Sequence, residues 1–193
     1  MAELTVAIGG FGAIGAKVAR ALDDGISDLR LVAISARDHA GARSRMDGMR
    51  SPPPVVELQK LAALADVVVE CAPAGVFREI ALAAIEAGRI FIPLSCGALL
   101  RQPDLVPLAA QTGARIIVPT GALLGLDAVR AAAEGTIHSV HMITRKPPKG
   151  LSGAPHLLEN DININNLSSA KLVFEGTARA AAEACLLYTS PSP

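Results

Sequence analysis

Residues Leu4 to Gly15, LTVAIGGFGAIG, pass without a spacer from an apolar run into a helical pattern, and glycines make the passage. Leu4, Val6 and Ile8, with Thr5 and Ala7 between them, form an uncharged run of the kind a strand covered on both faces of a parallel sheet requires. Gly10, Gly12 and Gly15 then have the spacing G-x-G-x-x-G. In such a turn the first glycine makes the bend, the second lets a pyrophosphate approach the backbone, and the third lets helix pack on strand. The unpaired N–H groups and the dipole of the following helix face the anion. From Ala13 the pattern is helical, with Ile14, Val18 and Leu22 expected on one face and Lys17 and Arg20 off it. Gly10, Phe11, Gly12, Ala13, Ile14 and Gly15 are thus the expected dinucleotide-binding loop.

The chain then alternates strands and helices. Arg30 to Ile34 reads as the second strand, and the ribose is read just past such a strand, by an acid for NAD or near an Arg for NADP. Arg37 favours NADP, Asp38 falls slightly late for NAD, and both also fit solvated loop charges, so the cofactor is expected to be NAD or NADP. His39 to Arg50 is polar and basic, and Pro52-Pro53-Pro54 is a rigid connector unfit for helix interior or central strand. A short helix over Gln59 to Ala65 leads into a buried strand, Asp66 to Ala72. Glu70 near its end is either a functional carboxylate or a charge on an exposed strand edge, and Ala72 is expected beside the cofactor. Phe77 to Ile85 has helical spacing closed by Gly88, and a strand over Arg89 to Leu94 follows. Ser95 and Gly97 suit backbone passing close to a cofactor, whereas Cys96 reads as a small packing residue. A helix over Asp104 to Thr112, ended by Gly113, and a strand over Arg115 to Val118 complete the alternation. The expected fold class is α/β, with a Rossmann-type doubly wound parallel sheet over residues 1–120.

Residues 121–184 read as an incomplete α+β catalytic or substrate domain. Its expected elements are a helix over Gly125 to Glu134, a half-wet strand over Thr136 to Thr144, a strand over Leu172 to Phe174, and a helix over Ala178 to Ala184 capped by Thr177. Arg145 to Gly150 is a basic turn and Asn160 to Asn166 a polar loop. His138 and His141 fall on opposite faces of the expected strand, so they cannot act as a pair from one side.

Composition narrows the partners. Lys+Arg 18 against Asp+Glu 18 leaves no net charge, which gives no footprint for nucleic acid or an anionic membrane. Mean hydropathy is +0.40, but charges interrupt every apolar stretch before it could span a bilayer. Glu3 precedes the first apolar run with no basic segment, unlike a secretory leader, and the cytoplasm is the expected location. Cys71, Cys96 and Cys185 have neither metal-ligand nor redox-pair spacing, and no metal is expected.

Several longer motifs are more restrictive than the glycine turn. With IGGFGAIG they are VVVECA at Val67 to Ala72, SCGAL at Ser95 to Leu99, VPTGALLGLDA at Val118 to Ala128, TRKPP at Thr144 to Pro148 and FEGTAR at Phe174 to Arg179. On these motifs the chain resembles the L-aspartate dehydrogenase family nearly throughout, to about Ala184. The resemblance implies NAD(P)-dependent oxidation of L-aspartate to iminoaspartate, which water converts to oxaloacetate and ammonia, and a place in NAD biosynthesis. It implies that Ala122 contacts the nicotinamide cofactor and that the intact protein is a homo-oligomer. It also implies a histidine in catalysis beyond FEGTAR, so no catalytic residue is assigned, and His138, His141 and His156 do not take that role. Arg145 and Lys146 are candidate partners for the substrate carboxylates, a solvated turn being the alternative. Cys185 to Pro193, CLLYTSPSP, leaves the family pattern and resembles sequencing-adapter read-through, so 185–193 is expected to be a non-native tail on a truncated and inactive chain. Other readings are a related amino-acid or semialdehyde oxidoreductase, such as a dihydrodipicolinate-reductase-like enzyme, and a non-catalytic NAD(P)-binding regulatory module.

Overall fold

The computed structural model describes residues 3–120 and 125–184. The chain divides into two compact units, one reaching to Val118 and the other beginning at Pro119.

In the first unit the apolar runs form five strands: β1 (Leu4–Gly9), β2 (Leu29–Ser35), β3 (Val67–Glu70), β4 (Ile90–Pro93) and β5 (Arg115–Ile116). All pair parallel in one sheet, in the order β2-β1-β3-β4-β5. Between them lie α1 (Ala13–Gly25), α2 (His39–Arg45), α3 (Leu61–Leu64), α4 (Phe77–Glu86), α5 (Cys96–Leu100) and α6 (Leu105–Thr112). The period of two along each strand sorts the core into two layers. Val6, Ile8, Val67 and Val69 pack with Ala19 and Leu22 of α1, whereas Ala7, Val68 and Phe91 pack with Leu61, Phe77, Ile80 and Leu105. Helices thus cover both faces, the doubly wound α/β arrangement expected from the alternation.

The buried face of α1 is Gly15, Ala19 and Leu22, one residue round from the expected face of Ile14, Val18 and Leu22. Ile14 is 48% exposed. A Cβ on Gly15 would collide with the Gly10 carbonyl oxygen, so the helix meets the strand turn through its smallest side chain and the larger Ile14 is turned out.

The polar stretch after β2, to which no element was assigned from sequence, begins with α2. Asp38 caps it, its Oδ1 accepting the Gly41 N–H at 2.9 Å. The proline connector that follows lies against the sheet edge. Ile34 N–H donates to the Pro54 carbonyl at 3.0 Å, Val56 N–H donates to the Ile34 carbonyl at 2.8 Å, and Val55 makes one parallel bridge to Ile34. Prolines 52–54 offer no N–H, so the ladder stops at that rung. Counting this rudiment, the strand sequence across the sheet has the 3-2-1-4-5-6 order of a Rossmann fold.

The second unit contains α7 (Leu126–Ala132), a 3-10 turn at Pro148–Gly150, α8 (Pro155–Glu159) and α9 (Ala178–Glu183). Leu151, Ala154, Leu157 and Ile164 are buried together. Thr177 caps α9, its Oγ1 accepting the Ala180 N–H at 3.1 Å. The expected strands at Thr136 to Thr144 and Leu172 to Phe174 do not form, and the regular elements among the described residues of this unit are these short helices. Residues 136–144 are exposed throughout and find no ladder partner among the described residues; a strand is defined by its neighbour, which the composition of one segment cannot supply. Helix α8 went unassigned from sequence, although Pro155 stands in its first turn, where proline is favoured. Residues 121–124 and the expected tail, 185–193, lie outside the described residues. No described helix is long and apolar enough to cross a membrane.

Candidate functional site

The topology fixes where a crevice forms. From β1 the chain crosses to β2 on one side, and β3 returns to the other, so the switch point lies between the carboxyl ends of β1 and β3, where open α/β sheets bind ligands. Gly9 pairs with Ser35 and with Glu70, and Glu70 with Pro93, so these four residues form one row at the carboxyl edge.

Gly10 is the first residue past that edge on β1. Its φ is +99°, and a Cβ there would sit 2.6 Å from the Cys71 carbonyl oxygen and 2.7 Å from the Ala72 nitrogen. Both the backbone conformation and the space exclude a side chain. Gly12 occupies the N-cap of α1 with no side-chain cap, and the first turn carries no acid. The leading N–H groups and the positive end of the helix dipole therefore meet the crevice unopposed, and a pyrophosphate fits this cradle.

The other residues expected there differ in what they present. Gly12, Ala13 and Ile14 are exposed, but the Phe11 side chain is 3% exposed and packs in the α1 layer of the core, so only its backbone can face a ligand. Past β2, Arg37 is exposed and Asp38 is committed to capping α2. The cap engages one Asp38 carboxylate oxygen, and the exposed Arg37 guanidinium belongs to the same loop past β2. Ala72 and Ser95 are buried directly behind the carboxyl ends of β3 and β4, and Gly97 is half-buried in α5. Ala122 lies outside the described residues.

Glu70 overturns the reading of an exposed edge charge: it is 0% exposed. Its Oε1 accepts the Ala72 N–H at 2.9 Å and the Ser95 hydroxyl at 3.0 Å, and its Oε2 accepts the Ser95 N–H at 2.9 Å. Burial pushes its carboxyl above the usual carboxylate range, against the lowering effect of the hydrogen bonds from Ser95, Ala72 and Leu94. Burial, with the neighbouring Glu70 charge, also pushes the Cys71 thiol up to about 12, and burial raises that of Cys96. Neither sulfur is an activated nucleophile. Sequence left Glu70 undecided, yet one signal was there: an ionisable residue closing VVVE, a run apolar enough to be covered on both sides.

In the second unit Arg145 is exposed and Lys146 half-buried, with burial holding its ammonium below the ordinary lysine range. His156 is structural. Its Nε2 lies 3.1 Å from the Val173 carbonyl and its ring stands edge-on to Phe174 at 5.3 Å. His138 and His141 are exposed. No cluster of metal-ligating side chains occurs among the described residues.

A parallel doubly wound sheet whose switch point carries a sterically enforced glycine turn and an uncapped helix defines a Rossmann-type dinucleotide-binding domain. Residues 10–119 match the family model described as homoserine dehydrogenase, NAD binding domain, and residues 127–185 match aspartate dehydrogenase, C-terminal. The chain is 51% identical to an L-aspartate dehydrogenase of Bradyrhizobium diazoefficiens over 94% of its own length and 64% of that protein's. It is 35% identical to an L-aspartate dehydrogenase of Methanosarcina mazei, over 94% of this chain and 68% of that protein. The chain belongs to the L-aspartate dehydrogenase family, and spans about two thirds of the length of these relatives. Among solved structures, UDP-N-acetylglucosamine 3-dehydrogenase GnnA of Acidithiobacillus ferrooxidans shares the fold, with a TM-score of 0.55 at 16% identity over 70% of this chain and 45% of that one.

Proposed function

We propose that this chain carries the cofactor half of an NAD(P)-dependent L-aspartate dehydrogenase working in the cytoplasm. The observation that carries the reading is the Gly10 cradle at the β1/β3 switch point in a chain of this family. A bound nicotinamide would accept hydride from the aspartate α-carbon, leaving an imine that water converts to oxaloacetate and ammonia. The chain's own groups hold and orient. The N–H groups from Gly12 onward take the pyrophosphate, Arg37 takes a 2′-phosphate or lies beside a 2′-hydroxyl, and Ala72, Ser95 and Gly97 line the far side of the crevice. Arg145 and Lys146 supply cationic partners for the two substrate carboxylates, a role that a planar guanidinium suits.

Titration with NADH and NADPH, alongside an assay of aspartate-dependent ammonia release, tests this. Both dinucleotides are expected to bind. Arg37→Ala should weaken NADPH at least tenfold, about 1.4 kcal/mol, and leave NADH within twofold. Failure of both to bind overturns the proposal, and binding without turnover on any amino acid favours a regulatory module.

A further inference from the structure

Glu70 is the one fully buried acid in the core of the first unit as described, and its place is unusual. It is the last residue of β3, and its two oxygens are met by neutral donors, the Ala72 N–H and the Ser95 N–H and hydroxyl among them, two residues beyond the ends of two adjacent strands. Taking an ionisable carboxyl out of water costs several kcal/mol, and neutral donors offset that less well than a cation does. None of the ion pairs among the described residues includes it. An apolar residue here would serve the core at lower cost, so what the carboxylate adds is position.

What it positions follows from the contacts. The Ala72 nitrogen it holds is the atom that lies 2.7 Å from the place of a Gly10 Cβ, so the strap after β3 and the glycine turn after β1 share one surface. Ser95, held by both its N–H and its hydroxyl, begins the turn into α5 after β4. Ala72 and Ser95 are thus locked to each other through Glu70 and to the glycine turn through Gly10. If the dinucleotide lies as proposed, its adenosine end meets β2 and Arg37, its pyrophosphate meets Gly10 to Gly15, and its nicotinamide end must extend over the ends of β3 and β4.

We propose that Glu70 is a positioning residue for the nicotinamide half of the dinucleotide: without touching the ligand, it holds the Ala72 and Ser95 backbones as a seat in register with the glycine turn. This rests on the proposed cofactor function. ADP-ribose, which carries everything in the dinucleotide except the nicotinamide, separates the two ideas. Calorimetric titration of the whole chain should show both NADH and ADP-ribose binding to the native protein. Glu70→Gln keeps the side-chain shape but sets an amide N–H against backbone or hydroxyl donors. It should weaken NADH at least tenfold while ADP-ribose stays within twofold. Ser95→Ala removes the hydroxyl donor and supplies the second arm should Glu70→Gln fail to fold, with NADH weakened about threefold and ADP-ribose unchanged. Equal loss of both ligands in a variant that melts like the native protein, or loss of neither, overturns the positioning role. Native protein that binds neither ligand overturns the cofactor reading and this one with it.

Discussion

At the scale of single residues, the carboxyl edge of the sheet is governed by what has been withdrawn from water. Cys71 borders the crevice and is a thiol in an otherwise plausible reactive place, but burial and the Glu70 charge move its pKa from 9.0 to about 12. The sign follows directly: the charged form is disfavoured, so the thiolate at any pH below 9 is about a thousandfold scarcer than on an ordinary cysteine. Iodoacetamide at pH 8, followed on the Cys71 peptide by mass spectrometry, should label at least a hundredfold more slowly than free cysteine. Labelling at the free rate would show the thiol to be activated. Glu70 and Phe11 make the same point about legibility. The sequence marked both for the neighbourhood of the ligand, but whether a side chain faces crevice or core depends on which strand face and which neighbouring turn it meets, and neither is written locally.

At the scale of elements, the apolar layers hold the sheet. Phe77 of α4 and Phe91 of β4 are both 0% exposed and meet edge to face, with ring centroids 5.8 Å apart. Phe91→Ala should cost about 3–5 kcal/mol, read as a lower urea midpoint with an unchanged slope. A loss under 1 kcal/mol would mean the layer collapses to fill the gap. Elements with a strong local signature were legible. Continuous apolar runs gave β1 to β4, with ends moved by one or two residues, and the left-handed Gly113 ended α6 as expected. The failures share a cause. The mixed polar and apolar run over Thr136 to Thr144 reads as a half-wet strand but has no ladder partner among the described residues, and the inward face of α1 was set by how closely Gly15 had to approach the Gly10 carbonyl rather than by the largest apolar side chains.

At the scale of the whole molecule, balanced charge and exposed apolar surface act together. Acidic and basic residues number 18 each, and in the second unit Val140, Met142 and Ile143 are 60%, 50% and 81% exposed. With little net repulsion near neutrality, such a stretch favours self-association. Light scattering should rise with protein concentration at pH 7, and the double change Val140→Lys with Ile143→Lys should suppress it. Scattering that ignores both changes would place the sticky surface elsewhere. The sheet of the first unit is guarded differently. Its β2 edge ends in a single rung beside prolines 52–54, and its other edge, β5, is two residues long. A foreign strand arriving at the β5 side finds almost no run of donors to zip onto, so on that side the dinucleotide domain is insulated against growing by strand addition, whereas along β2 only the Ile34 rung is taken.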